Sequence, residues 1–371
     1  MLQNAALKGS FYVGSFHVSR SLLPKLLYNG PLMKLAHGHD IIVIGASAGG
    51  VEALKEVAAS LPADLPAAVF AVLHQSPDAP GMLGKILDRS GPLPAGLASD
   101  GEAVEHGRIY VAPPDHHLLV KEGQVVLGRG PRENRSRPAI DPTFRSAAVA
   151  YGSRVVGVIL TGYLDDGASG LAAVERCGGV TVVQDPEDAA YPDMPESALR
   201  AVAPGNGPDH IVPLAEVGAL LSRLAHTEPG EAVEPPQDIA IEARIAERAM
   251  SDIPAEEAMG DQVPVGCPDC GGPLWEVKED RVKRFRCHVG HAYTERALVA
   301  DQDDAVERAL WAALRTLEER ANMLESMARR EHEAGRSASG RGYDERAAES
   351  RDHVRHLRHL LLDSPPISTA A

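Results

Sequence analysis

The sequence has few aromatic residues and no long apolar run. Aromatic residues make up 4% of the 371-residue chain, so the core is expected to be aliphatic. No apolar stretch approaches the roughly 20 residues that a membrane-spanning helix needs. The N-terminus also lacks a continuous apolar segment followed by a small-residue cleavage site. The sequence therefore predicts soluble domains, two or three in number, in a cytoplasmic protein.

Basic residues and cysteines are also scarce. Lys and Arg total 37 against 52 Asp and Glu, a formal net charge of −15. This charge disfavours broad electrostatic binding to nucleic acid or anionic lipid, so neither a nucleic-acid partner nor membrane insertion is predicted. Of four cysteines, Cys267, Cys270 and Cys287 lie close together and Cys177 stands alone. That distribution favours a metal site in a reducing compartment over a disulfide framework.

Short apolar runs alternate with helical patterns over residues 40–225. The β-branched runs DIIVIG, AAVFAVL, RVVGVIL and GVTVVQ predict buried strands. The stretches GGVEALKEVAASL, DPTFRSAAVAYG and GASGLAAVERCGG predict helices. Together they predict an α/β domain with a doubly wound, mostly parallel sheet. Residues 107–130, with a turn at Glu122–Gly123, predict an antiparallel excursion within it.

The segments outside residues 40–225 differ in composition. Residues 1–39 contain no acidic residue and are expected to be a disordered extension or the product of an upstream start. Residues 226–262, acidic and proline-containing, predict a flexible linker with one amphipathic helix. Residues 263–300 hold three of the four cysteines and are expected to form a small, zinc-ribbon-like zinc-binding segment. Residues 301–371 predict two helices separated by a loop at 334–344, with a disordered end. Those helices form either an antiparallel hairpin or a homodimer contact.

A glycine-rich turn, GASAGG at 45–50, carries Ser47 between a predicted strand and a predicted helix. Amide groups at a helix N-terminus hold either a phosphate or the oxyanion of an acyl-transfer intermediate. The turn lacks both the G-x-G-x-x-G spacing and a Walker lysine, which favours acyl transfer. A nucleophilic serine also needs a base and an orienting acid at other strand ends.

Two further strands end in suitable side chains. His74 directly follows AVFAVL, and Asp166 follows RVVGVIL, with Asp165 as a competing candidate. Taken singly, a histidine bonded to a carbonyl and an N-cap aspartate explain these residues as well. Their coincidence at the edge where a parallel sheet collects its active-site groups favours a Ser-His-Asp triad.

The blocks VIGASAGGVEAL, AVLHQSPD and ILTGYLDDGASGL resemble the CheB family of chemotaxis protein-glutamate methylesterases. RIYVAPPDHHLLV and RPAIDPTFRSAA support the resemblance. It implies that Ser47 is the nucleophile, His74 the base and Asp166 the orienting acid. It also implies hydrolysis of glutamyl methyl esters, and deamidation of glutamines, on a methyl-accepting chemotaxis receptor or related signalling protein. Asp141 and Arg145 line the substrate groove by resemblance, while an N-cap aspartate and a surface arginine explain them equally well.

The chain also departs from the family. Ala48 stands where the family often has threonine, and Tyr163 where it has methionine. The predicted oxyanion groups are the backbone around Ala48 and Gly49, with Tyr163. The chain resembles the stand-alone branch, which lacks the N-terminal receiver domain and carries a C-terminal Cys-rich segment, so phosphorylation in cis is not expected. A non-catalytic receptor-binding scaffold and a hydrolase of a different ester are the alternatives.

The spacing Cys267-x2-Cys270 and Cys287-x3-His291 is typical of a zinc site. Two turns joined by a β-hairpin bring these four groups to one tetrahedral Zn²⁺, which is structural because all its ligands are protein groups. His288 is the alternative fourth ligand. No cofactor is predicted for catalysis. The basic run between the ligand pairs is interpreted as a solvated face, and Cys177 as a buried small hydrophobic residue.

Overall fold

The computed structural model describes residues 38–202, 207–248, 260–278 and 281–362. The expectations for residues 1–37 and for the C-terminal end after residue 362 lie outside these ranges. His39 is described, and its amide donates to the Leu224 carbonyl. Within the described ranges, no helix is both long enough and apolar enough to cross a membrane.

A seven-stranded sheet forms the first part of the fold, in the order β3-β4-β2-β1-β7-β8-β9. All its pairings are parallel, so the predicted doubly wound parallel sheet is confirmed. Because β2 and β7 flank β1, the strand order reverses there, and open α/β sheets bind ligands at such a point. The strands are β1 (Ile41–Ala46), β2 (Ala68–Leu73), β3 (Ala95–Leu97), β4 (Arg108–Val111), β7 (Val155–Ile159), β8 (Val180–Gln184) and β9 (His210–Val212).

Helices cover both faces of this sheet. Ile42 and Ile44 of β1 belong to one buried cluster, and Ile41 and Val43 belong to another. Side chains alternate along a strand, so two apolar faces require helices on both sides. The helices are α1 (Gly50–Ser60), α2 (Leu83–Ser90), α3 (Ile140–Tyr151), α4 (Ala168–Arg176), α5 (Asp193–Ala201) and α6 (Leu214–Ala225), with a short 3₁₀ turn at Gly152–Arg154.

The predicted antiparallel excursion is a hairpin of β5 (His117–Lys121) and β6 (Gln124–Gly128). Its turn uses Gly123 at φ 76, a left-handed conformation that glycine adopts without strain. The excursion is smaller than expected, because β4 joins the parallel sheet beside β2.

The acidic segment contains α7 (Gln237–Arg248). This helix is packed, in contrast to the flexible linker expected from composition. Ile239 and Ile245 are buried, and so is the carboxylate of Glu242. The helix contacts α3 and β6.

A second sheet follows, with the antiparallel order β10-β11-β12-β13. We call it the cysteine sheet. Its edge strand β13 pairs with Glu133, which precedes α3. The strands are β10 (Gly260–Gly266), β11 (Pro273–Val277), β12 (Arg284–Cys287) and β13 (Ala292–Thr294).

Two long helices end the described chain, α8 (Glu295–Glu333) and α9 (Ser337–Leu362). Ion pairs between Arg351 and Glu325 and between Arg358 and Glu318 show that they run antiparallel, as a hairpin within one chain. The predicted loop at 334–344 is wrong, since only residues 334–336 separate the helices. Gly340 is buried inside α9 and serves close packing, because a Cβ there would come within 2.5 Å of the His332 ring.

Candidate active site

Ser47 lies in the turn between β1 and α1. Its amide donates to the Thr161 carbonyl at 3.0 Å, and its carbonyl accepts from the Gly50 amide at 2.8 Å. Gly49 has φ 73, so the turn uses a left-handed residue where glycine is favoured. Gly162 lies close by, and a Cβ there would come within 2.8 Å of the Ser47 Cβ. The two glycines leave room for Ser47 at the N-terminus of α1.

His74 directly follows β2. Because Ala46 and Leu73 are register partners at the ends of β1 and β2, the next residues of both strands lie side by side. The His74 Nδ1 is 3.1 Å from the Ser47 Oγ, and the Nε2 is 2.6 Å from the Asp166 Oδ2. The imidazole ring thus bridges Ser47 and Asp166, and Nδ1 is the nitrogen that faces Ser47.

Asp166 follows β7 and is almost fully buried, with 2% of its side chain exposed. Burial would raise the pKa of Asp166, but the hydrogen bonds and nearby charges outweigh it and hold this pKa below its usual value. The carboxylate is therefore ionised at neutral pH. It accepts hydrogen bonds from His74 Nε2, from Asn134 Nδ2, and from the amides of Ile140, Asp141 and Gly167.

Asn134 was not identified from the sequence. Its side-chain amide donates to Asp166 Oδ1 at 2.8 Å and to Asp141 Oδ2 at 2.9 Å. It lies in the loop before α3, where no periodic pattern or metal-ligand spacing marks it. Its contact with Asp166 depends on the fold, and the sequence carries no signal for it.

Asp141 and Arg145 are both buried, so neither lines an open groove. Asp141 is not an N-cap of its own helix. Its Oδ1 accepts from the amides of Gly167 and Gly170, at the start of α4. Burial and the nearby Asp166 raise the pKa of Asp141 to about 7. The surface position expected for Arg145 is wrong, since its guanidinium pairs with Glu133 and Glu242.

Asp165, the competing acid, bonds elsewhere. Its carboxylate accepts a 2.6 Å hydrogen bond from the Thr294 hydroxyl, in β13. Burial raises the pKa of Asp165, and the Thr294 hydrogen bond opposes that shift. The structure thus places Asp166, and not Asp165, against His74.

The predicted oxyanion groups lie around the start of α1. Within the described ranges, the amides of Ala48 and Gly49 donate no hydrogen bond to the protein, so both are available to a ligand. Tyr163 is 41% exposed, and its ring packs edge-on against Tyr191 with centroids 4.6 Å apart. Tyr163 therefore offers an aromatic surface at the solvent boundary.

The four predicted metal ligands also come together. The ligand atoms of Cys267, Cys270, Cys287 and His291 all lie within 4.8 Å of one another. The Cys270 and Cys287 sulfurs are 3.7 Å apart, and His291 Nδ1 is 3.4 Å from the Cys287 sulfur. Tetrahedral ligands at about 2.3 Å from Zn²⁺ lie roughly 3.8 Å apart. This cluster has the size and chemistry to hold a metal ion.

Part of the basic run between the ligand pairs is buried, so the predicted solvated face is wrong for Arg284 and Arg286. Arg286 donates to Glu133 at 3.0 Å, and Arg284 donates to Glu242 at 2.7 Å. Buried charges thereby join the cysteine sheet to the loop before α3 and to α7. Cys177 is fully buried, as predicted, and burial raises its pKa to about 11.

Known proteins match the part of the chain that carries this site. The family model described as CheB methylesterase matches residues 42–221. A Leptospira interrogans protein, described as a putative protein-glutamate methylesterase/protein-glutamine glutaminase, is 36% identical over 187 residues, which cover 50% of this chain and 95% of that protein. The chain belongs to the CheB methylesterase family. This membership confirms the predicted enzyme class, a protein-glutamate methylesterase among the carboxylic ester hydrolases.

Two further CheB relatives are similar to the same part of the chain. A Methanosarcina acetivorans protein-glutamate methylesterase/protein-glutamine glutaminase is 35% identical over 201 residues, which cover 52% of this chain and 55% of that protein. A crystal structure of the Thermotoga maritima CheB methylesterase catalytic domain matches with 34% identity and a TM-score of 0.47, and the match covers 50% of this chain and 98% of that one.

Proposed function

We propose that the chain hydrolyses glutamyl methyl esters on a chemoreceptor-like signalling protein, with Ser47, His74 and Asp166 as its catalytic triad. The observation that carries the proposal is the continuous hydrogen-bonded path from the Ser47 Oγ through the His74 ring to Asp166. The names of the relatives supply the substrate class. A non-catalytic scaffold would not require this path.

The proposed reaction uses an acyl-enzyme. His74 Nδ1 takes the Ser47 proton as the Oγ attacks the ester carbonyl, and Asp166 holds the proton on Nε2 and stabilises the imidazolium. The amides of Ala48 and Gly49 stabilise the oxyanion. His74 returns the proton to the leaving methoxide, and methanol departs. Water activated by His74 then releases glutamate and Ser47. The same route deamidates a glutamine, with ammonia as the leaving group.

Methanol release from a methylated receptor fragment tests this function. We expect release that depends on enzyme concentration and stops once the methyl groups are consumed. A chain that hydrolyses simple esters but leaves the receptor fragment methylated would be a hydrolase of a different ester. No turnover of either substrate would favour the scaffold.

We propose that Cys267, Cys270, Cys287 and His291 bind one structural Zn²⁺. The distances among the four ligand atoms support tetrahedral coordination. All four positions are filled by protein, which leaves no place for a substrate. A site with three cysteine ligands suits a reducing compartment, and we propose the cytoplasm.

Metal analysis of the purified chain is expected to find one zinc ion per chain, and Cys270→Ser is expected to lose it. Cys270 is exposed, so this change removes a ligand without opening a buried space. Cys177→Ala is the matched control, because Cys177 lies outside the cluster and should leave the zinc content unchanged. Undiminished zinc in Cys270→Ser would contradict the ligand assignment.

We also propose that the α8–α9 hairpin contacts the receptor. Its exposed apolar side chains Val306, Trp311 and Met323 are available to a helical partner. Homodimer formation through these helices is the alternative.

Deleting residues 306–371 is therefore expected to raise KM for the full receptor by roughly 10-fold or more, because local concentration is lost. The deletion keeps Asp301 and Asp304, which pair with Arg135. The kcat for a short methyl-ester peptide should stay unchanged. Light scattering tests the alternative, since a homodimer would become a monomer on deletion. Equal KM values for the two forms on the full receptor would refute docking.

A further inference from the structure

Asn134 connects the proposed triad to the cysteine sheet. Its Nδ2 donates to Asp166, and its Oδ1 accepts from the Thr294 amide at 3.0 Å. Its backbone amide donates to the Ala292 carbonyl at 2.8 Å. One side chain thus holds the acid of the triad with its donor and strand β13 with its acceptor.

The backbone around Asn134 makes this double contact possible. Asn134 has φ 48 and Arg135 has φ 68, two successive left-handed residues. Asparagine tolerates this conformation better than most residues with a Cβ. The residues on either side of Asn134 form ion pairs with C-terminal elements: Glu133 pairs with Arg286 of β12, and Arg135 pairs with Asp301 of α8.

The same strand is directly attached to the metal-ligand cluster. His291, a proposed ligand, immediately precedes β13, which runs from Ala292 to Thr294. The Cys287 amide donates to the His291 carbonyl, which fixes the start of that strand against β12. The covalent path from His291 to the amide that binds Asn134 is therefore three residues long.

The Asp166 carboxylate needs this support for a geometric reason. Its Oδ2 accepts from His74 and from the Ile140 amide, and the contacts of its Oδ1 help to set how the carboxylate plane is turned. Asn134 and the amides of Asp141 and Gly167 hold Oδ1. Asn134 also lies between two buried carboxylates, Asp141 and Asp166, and donates to both. Without this donor, fewer hydrogen bonds would offset the repulsion between the two carboxylates.

We propose that Asn134 is a positioning residue for Asp166, and that the metal-loaded cysteine sheet holds Asn134 in place. Ester hydrolysis then depends on the state of a cluster that does not touch the substrate. This inference rests on the proposed roles of Ser47, His74 and Asp166. The cysteine sheet would then contribute to the reaction by positioning Asp166 through Asn134.

Two substitutions test the positioning role. Asn134→Gly removes the side chain and keeps the left-handed backbone without strain. Asn134→Asp keeps an acceptor for the Thr294 amide but loses the donor to Asp166. Both are expected to lower kcat on a short methyl-ester peptide by roughly 10- to 100-fold with KM little changed. Asn322→Asp is the matched control, since Asn322 lies on the helical hairpin, where its side chain accepts a hydrogen bond from Arg351.

The pH profile distinguishes positioning from a general loss of folded enzyme. Asn134→Asp adds a negative charge next to Asp166, which stabilises the imidazolium of His74. The acid limb of its kcat/KM profile should therefore move to higher pH. Partial unfolding of Asn134→Asp would instead lower the plateau of this profile and leave its acid limb in place. Unchanged kcat and an unchanged limb in both variants would refute the positioning role.

Metal removal tests the second half of the proposal. We expect a chelator that strips zinc, as checked by metal analysis, to lower kcat of the unaltered chain by a similar factor. The same treatment should add little to the loss in Asn134→Gly, because both changes act through one contact. Fully additive losses would overturn the coupling, as would unchanged kcat after complete metal loss. A chain that binds no metal, even from added Zn²⁺, would overturn it too. Metal removal from the unaltered chain still decides the question if Asn134→Gly does not fold.

Labelling of Ser47 by a fluorophosphonate probe separates this inference from the proposed substrate. If the chain releases no methanol, slower labelling in both Asn134 variants still supports positioning, and equal labelling refutes it. If the Asn134 variants release methanol at the same rate as the unaltered chain, the proposed function stands and the role of Asn134 is refuted.

Discussion

Ser47→Ala is expected to lower the rate of methyl-ester hydrolysis by about 10⁴-fold or more, because removal of a triad nucleophile leaves only the binding and oxyanion contributions. The fold should persist. The Ser47 backbone makes its hydrogen bonds to Thr161 and Gly50 through main-chain atoms that alanine also has. Methanol release and circular dichroism on the same preparation measure the two halves of this expectation.

Ser99→Ala provides the matched control for Ser47→Ala. Ser99 is exposed and follows β3, an edge strand that β4 and β2 separate from β1. Its substitution should leave the rate unchanged. Near-normal methanol release by a folded Ser47→Ala chain would remove Ser47 from the mechanism.

Asp166→Asn is expected to lower kcat by roughly 10⁴-fold, because an amide facing Nε2 favours the wrong imidazole tautomer. Asp165→Asn should have a far smaller effect. The amide oxygen of an asparagine still accepts the hydrogen bond from the Thr294 hydroxyl that Asp165 accepts. The comparison is well matched, since both residues are buried, neighbouring carboxylates.

The kcat values of the two variants on one methyl-ester peptide decide between the acids. If Asp165→Asn proved the more damaging change, Asp165 would be the orienting acid, and the contact between His74 and Asp166 would not describe the working enzyme.

The parallel sheet and the positions of the triad residues were predictable because both depend on local pattern. Buried parallel strands are continuous apolar runs, so β1, β2 and β7 were visible as DIIVIG, AAVFAVL and RVVGVIL. Their carboxyl ends meet at one edge, which indicated that Ser47, His74 and Asp166 lie together. The ligand spacing of the cysteine cluster is similarly local.

The features that escaped prediction depend on residues far apart in the chain. Arg284 and Arg286 alternate with Phe285 in β12, a pattern typical of a strand with one solvated face. That face is instead covered, and Glu133 and Glu242 supply the opposite charges. Asn134 meets its partner Thr294 across 160 residues of sequence. The hydrophobic periodicity of a short stretch of sequence does not indicate such long-range pairings.

The buried charges also bear on where the folding unit ends. The family match stops at residue 221 and includes Glu133 and Arg145, but their partners Glu242 and Arg286 lie beyond it. A buried charge that loses its partner is strongly destabilising, by about 3–5 kcal/mol. Glu133 and Arg145 pair with each other inside the family region, and each gains a second partner from outside it: Arg286, 153 residues further along the chain, for Glu133, and Glu242 for Arg145. A chain cut at residue 221 would therefore keep the Glu133–Arg145 pair but lose Glu242 and Arg286, and we expect it to unfold at a lower temperature than the full chain.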